Sequence, residues 1–239
     1  MLDVYADGAD YNGIIEAAMN KEIKGFTTNP TLMKAAGVTD FVKFANDIIP
    51  HLNDVRPDTN ISLEVFADEQ DDMIRQAKII AGWGDKYGYK VYVKIPVTTT
   101  KGVPNYNLIG DLARDGINVN VTAVFTELQT IDILEKIQNA TGSVIISIFA
   151  GRIADTLRDP EKIVTKCISL DKEAKANFLW ASCREVFNYT QAYRSGCDII
   201  TMTPDQIKKL SLRNKNLEEY SRETVQMFYN DAQKSGYVL

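Results

Sequence analysis

Lys94 stands near the end of residues 89–97, "YKVYVKIPV", a run whose pattern is that of a buried strand. Burying an unpaired ammonium costs several kcal/mol, so a lysine at such a position invites a chemical explanation. A low-dielectric pocket favours the neutral amine, and a neutral amine is a nucleophile toward ketone and aldehyde carbonyls. The product is a Schiff base. Once protonated, the iminium draws electrons from a neighbouring carbon–carbon bond, which can then break or form. Asp7 and Glu64 supply two carboxylates to divide the proton transfers, one acting on a hydroxyl and the other through a water. This chemistry calls for no metal and no cofactor.

Such a constellation needs elements that aim all three side chains at one point. Eight β-rich runs, "LDVYAD", "GFTTN", "ISLEVFA", "KVYVKIPV", "NVNVTAVF", "SVIISIFA", "NFLWASC" and "DIITMT", alternate with segments apolar at helical spacing. Strands alternating with helices imply a parallel sheet, and eight such units imply a closed (β/α)8 barrel. The boundaries carry their own signals. Asn29-Pro30 and Asp159-Pro160 read as N-caps followed by proline at the first helical position, while Gly88, Gly116, Gly142 and Gly196 read as punctuation before the next strand. One barrel domain over residues 1–239 is expected, with residues 216–239 forming an additional amphipathic C-terminal helix. Its Leu217, Tyr220, Val225 and Phe228 would pack on the barrel or on a neighbouring subunit.

Strand parity sorts the polar residues. Lys94 and Tyr92 share one face against Val91, Val93 and Ile95. Asp7 opposes Val4 and Ala6, and Ser62 and Glu64 oppose Ile61, Leu63 and Val65. Asn118, Asn120 and Thr122 oppose Val119, Val121 and Ala123, and Ser147 opposes Ile146 and Ile148. Ser182 and Arg184 are placed opposite Ala181 and Cys183, with Trp180 on the lumen side, and Thr201 and Thr203 oppose Ile200 and Met202. Polar side chains late in barrel strands are where this architecture keeps its chemistry.

Composition narrows the classes. A net charge of -5 argues against a nucleic-acid surface, and the start "MLDVYADGAD" lacks the basic and apolar regions of a signal peptide. No apolar run is long enough for a membrane span, so a cytoplasmic protein is expected. Cys167, Cys183 and Cys197 have neither disulfide-framework nor zinc spacing, and the lone His51, read as a solvated helix-end residue, leaves no ordinary Ser/His/Asp or Cys/His arrangement.

The blocks "GFTTNPTLMKAAG", "VYVKIPVT", "VNVTAVFT", "FAGRIADT" and "WASCRE", in order at barrel spacing, resemble the transaldolase family, which includes the small fructose-6-phosphate aldolases. By that resemblance Lys94 is the Schiff-base lysine, Asp7 handles the substrate hydroxyl proton, and Glu64 with Thr122 positions the catalytic water. Thr28, Asn29, Asn120 and Ser147 would line the sugar chain, and Arg152, Ser182 and Arg184 would hold a phosphate. The competing assignments are an Arg152 pair with Asp155 or Asp159, and an Arg184 pair with Glu185. Glu64 and Phe149 resemble the transaldolases, since the aldolases carry glutamine and tyrosine there. The resemblance therefore implies transfer of a dihydroxyacetone unit from a fructose or sedoheptulose phosphate to an aldose phosphate, with cleavage that releases dihydroxyacetone as the alternative. It also implies a homo-oligomer of five or ten subunits. The chain departs from the family in "TTTKGVPNYN", residues 98–107, where the usual link is shorter, and in Cys183, where the family has phenylalanine.

Overall fold

In a computed structural model, which describes residues 2–238, eight parallel strands close into a barrel in sequential order. They are β1 (Asp3–Asp7), β2 (Ile23–Thr27), β3 (Asn60–Glu64), β4 (Lys90–Pro96), β5 (Val119–Val124), β6 (Val144–Ile148), β7 (Asn177–Trp180) and β8 (Ile199–Met202). β1 pairs with both β2 and β8, which closes the ring. The helices outside are α1 (Tyr11–Ala18), α2 (Pro30–Ala35), α3 (Phe41–Val55), α4 (Gln70–Tyr87), α5 (Tyr106–Arg114), α6 (Glu127–Lys136), α7 (Ala150–Ala154), α8 (Pro160–Leu170), α9 (Asn188–Ser195) and α10 (Pro204–Lys209). A further helix, α11 (Leu217–Ser235), follows the barrel. The fold is a (β/α)8 barrel with an added C-terminal helix.

Local chemistry accounts for the boundaries. Asn29 and Asp159 cap α2 and α8 through their side chains, each with proline in the first turn, and Gly88 and Gly196 end α4 and α9 in left-handed conformations. The apolar spacing of residues 11–23 does not stay helical throughout, and α1 stops at Ala18. Asn20 turns the chain there, its side chain accepting from Glu22 N at 3.0 Å, and β2 begins at Ile23. His51 lies inside α3, half-buried, 2.7 Å from the Tyr11 hydroxyl, rather than solvated at a helix end.

The main core lies between sheet and helices, where Val91, Val93, Ile95, Ile61, Leu63, Val119 and Val121 meet the apolar helix faces. The barrel interior is filled toward its N-terminal end by Tyr5, Tyr92, Ile145, Leu179 and Ile199. Burial there drives the Tyr5 hydroxyl up to about 12, and Asn60 Nδ2 donates to it at 2.8 Å. This plug seals the barrel below and leaves its C-terminal mouth open.

Parity fails at two strand ends. Trp180 faces outward, fully buried in the sheet–helix layer, and it is Leu179 and Ala181 that face inward. β7 ends at Trp180 and Ser182 has φ +63°, so alternation does not continue, and residues 181 to 184 all border the cavity. On β5, Ala123 has φ +59° at a register shift, which turns Ala123 to the cavity and Val124 to the core.

Candidate active site

The mouth of the barrel holds a cavity of about 590 Å³, a size suited to a small ligand. Lys94, two residues before the end of β4, is 6 % exposed and reaches into it. Its Nζ donates to the Thr28 carbonyl at 2.7 Å and forms an ion pair with Glu64 Oε2 at 3.2 Å. The ammonium is therefore buried but not unpaired. Glu64 is its direct partner on β3, in register across the β3–β4 ladder.

Asp7 ends β1 on the same cavity. Burial pushes its carboxyl above the ordinary value, while the Lys94 charge and then a hydrogen bond from Thr27 partly offset that rise. Thr27 Oγ1 donates to Asp7 Oδ1 at 2.7 Å. A hydroxyl has one hydrogen to give, so the 2.5 Å contact between Thr201 Oγ1 and Thr27 Oγ1 has Thr201 as donor. The relay Thr201, Thr27, Asp7 orients the carboxylate across three strands.

Asn120 and Ser147 both border the cavity and are bonded to each other, Ser147 Oγ donating to Asn120 Oδ1 at 2.7 Å. Asn120 Nδ2 in turn donates to Ser62 Oγ at 3.1 Å. Thr122 faces the same space beside Pro96, its strand neighbour. Phe149 and Phe125 make an apolar wall, ring centroids 5.8 Å apart, with the Arg152 guanidinium 5.9 Å from the Phe149 ring. Ser182, Arg152 and Arg184 stand around the rim.

Of the residues singled out from the sequence, Lys94, Asp7, Glu64, Thr122, Asn29, Asn120, Ser147, Phe149, Arg152, Ser182 and Arg184 border this cavity. Thr28 does not. Its hydroxyl donates to the Ser62 carbonyl at 3.2 Å, and it borders a neighbouring, mostly apolar pocket with Met33, Phe41 and Phe66. Thr27 takes the inward place, because β2 parity sends Gly25 and Thr27 one way and Phe26 and Thr28 the other. Sequence reasoning passed over Thr27, Phe125 and Gln206, all on the cavity. The strand alternation in "GFTTN" was a usable signal for the first, whereas the other two lie beyond strand ends. Asp155 pairs with Arg184, not Arg152; Asp159 pairs with Lys162.

A buried amine beside a carboxylate, a second buried carboxylate on a hydroxyl relay, and guanidinium groups at the rim can together bind an anionic carbonyl compound and move protons around its carbonyl. No helix among the described residues is long and apolar enough to cross a membrane.

Comparison with known proteins places the chain among relatives. A family model described as Transaldolase/Fructose-6-phosphate aldolase matches residues 4–238. A protein of Dehalococcoides mccartyi named "Probable transaldolase" is 28% identical over 203 residues, covering 84% of this chain and 86% of the relative. One of Roseiflexus sp. with the same name is 30% identical over 215 residues, covering 89% and 90%. Among solved structures, the thiamine phosphate pyrophosphorylase of Pyrococcus furiosus superposes with a TM-score of 0.55 at 11% identity, covering 84% of this chain and 85% of that one. That likeness reports the barrel fold alone.

Proposed function

Because the chain belongs to the transaldolase/fructose-6-phosphate aldolase family, we propose that it transfers a dihydroxyacetone unit from a ketose phosphate, such as fructose or sedoheptulose phosphate, to an aldose phosphate. The observation that carries this reading is the buried Lys94 amine, 3.2 Å from Glu64 and sharing one cavity with Asp7.

Attack on the ketone at C2 needs the free amine, and Glu64 is the base best placed to take its proton and return it as water leaves. The iminium then accepts the electrons of the C3–C4 bond, while Asp7 takes the proton of the C4 hydroxyl. An aldose phosphate departs, and a three-carbon enamine stays on Lys94. C3 of that enamine attacks the carbonyl carbon of the acceptor aldehyde, with the proton on Asp7 passing to the new hydroxyl. Water, held between Glu64 and Thr122, hydrolyses the iminium and frees the product ketose.

Transfer is favoured over release by the Phe149 and Phe125 wall. Neither ring can donate a hydrogen bond, so this wall offers no partner to a water that would protonate the enamine carbon. The tail supports a homo-oligomeric reading, since α11 leaves Leu217 and Phe228 79% and 63% exposed. A second copy of the chain would cover them.

Borohydride reduction in the presence of fructose 6-phosphate tests the reaction. The expected result is a reduced three-carbon or sugar adduct on the peptide that contains Lys94. No adduct, or one on another lysine, overturns the reading.

A further inference from the structure

Arg184 is held at its main chain, its stem and one edge of its guanidinium. The backbone N–H donates to Asn188 Oδ1 at 2.7 Å, and Asn188 is tied through Gln191 to Glu161 on α8. The stem crosses Gly151, where a Cβ would come within 3.2 Å of Arg184 Cγ. At the head, Nε donates to Asp155 Oδ1 at 3.2 Å and Nη2 to Asp155 Oδ2 at 2.5 Å. Among the described residues Nη1 donates to no protein acceptor, and Arg152 on the facing helix has no carboxylate within 4.0 Å.

We propose that Asp155 is a positioning residue for the phosphate end of the substrate, fixing the Nε/Nη2 edge of Arg184 so that its remaining N–H groups join Arg152 and Ser182 on one phosphate. The proposal rests on the reading of the chain as acting on sugar phosphates. Two effects oppose each other. A free arginine loses side-chain entropy when it clamps a ligand, and one already fixed in the folded protein loses less, which strengthens binding. Against this, the Asp155 carboxylate repels a dianion. Both side chains of the pair are about half exposed, at 50% and 53%, so water screens that repulsion strongly. Preorganisation is the larger effect. The carboxyl stays ionised throughout the range in which a phosphate is a dianion, because the Arg184 hydrogen bond holds it below the usual carboxylate value.

The test uses Asp155→Asn in the full chain, with inorganic phosphate titrated calorimetrically and kinetics run on fructose 6-phosphate and on unphosphorylated fructose. The side chain is half exposed, so the variant is expected to fold. Inorganic phosphate binding should weaken about fivefold, the upper end for a half-exposed bidentate arginine–carboxylate contact. KM for fructose 6-phosphate should rise by a similar factor, with the loss falling on KM rather than kcat, and KM for fructose should shift by less than about twofold. Unchanged or tighter phosphate binding, or an equal rise in KM for both sugars, overturns the proposal. Failure of the wild-type chain to form a Lys94 adduct would instead remove the catalytic reading, while the phosphate titration would still report on Asp155.

Discussion

Thr27 donates its hydroxyl hydrogen to Asp7 Oδ1 at 2.7 Å, and this bond opposes the burial that raises the Asp7 carboxyl. Asp7 must be ionised to take a hydroxyl proton, so kcat/KM should fall on the acid side at a pH above the ordinary carboxylate range. Thr27→Val removes a hydrogen bond that favours the charged form. The carboxyl then rises further, and the acid limb moves to higher pH, with the plateau rate little changed where Asp7 is fully ionised. A pH profile of kcat/KM for both proteins checks this; a limb that stays put, or moves to lower pH, separates Asp7 from the limb.

Phe149 faces Phe125 at 5.8 Å across the cavity wall. Phe149→Tyr introduces a hydroxyl able to hold a water near the enamine carbon. Release of free dihydroxyacetone without an acceptor should rise about tenfold relative to transfer, below the roughly hundredfold at which a directly positioned proton donor begins to contribute, because the hydroxyl acts through a water. An enzymatic assay for dihydroxyacetone measures it. A release rate equal to that of the parent chain would take Phe149 out of the account of transfer.

Much of this site could be read from alternation because a helix-covered sheet demands an apolar outer face, which leaves polar residues such as Asp7, Glu64, Lys94 and Ser147 to turn inward. That logic lapses where a strand ends. Ala123 and Ser182 take φ of +59° and +63°, conformations without a periodic signature, and they re-aim the residues after them. Counting back by twos across Ser182 places Trp180 in the lumen, whereas it packs in the sheet–helix layer. The Arg184–Asp155 pair joins residues 29 apart and depends on how closely two loops approach. Nothing local to either residue signals that approach.

The approach is made possible by Gly151. A Cβ at this position would lie 1.6 Å from the Ser182 carbonyl oxygen, backbone against backbone, so no side-chain rotation relieves it. Gly151→Ala must push the Ser182–Arg184 turn away from α7. Overpacking of this kind costs about 1–3 kcal/mol. For a chain of this size the midpoint of thermal unfolding should fall by about 5 °C. Circular dichroism melts of the two proteins decide it, and an unchanged midpoint would mean the turn yields freely.

The α11 helix has 19 residues, yet Leu217, Tyr220, Val225 and Phe228 are all exposed. Helical stability in proteins comes mainly from burying an apolar face, and this face is bare on a single chain. A second copy of the chain supplies the missing surface in the oligomeric reading. Cutting the chain after Lys215 removes the helix and leaves β8 and α10 in place. Light scattering should then give an oligomeric mass for the full chain and a smaller assembly for the shortened one. Equal assembly states would mean that subunits meet elsewhere, and a monomeric full chain would leave the tail without the partner proposed for it.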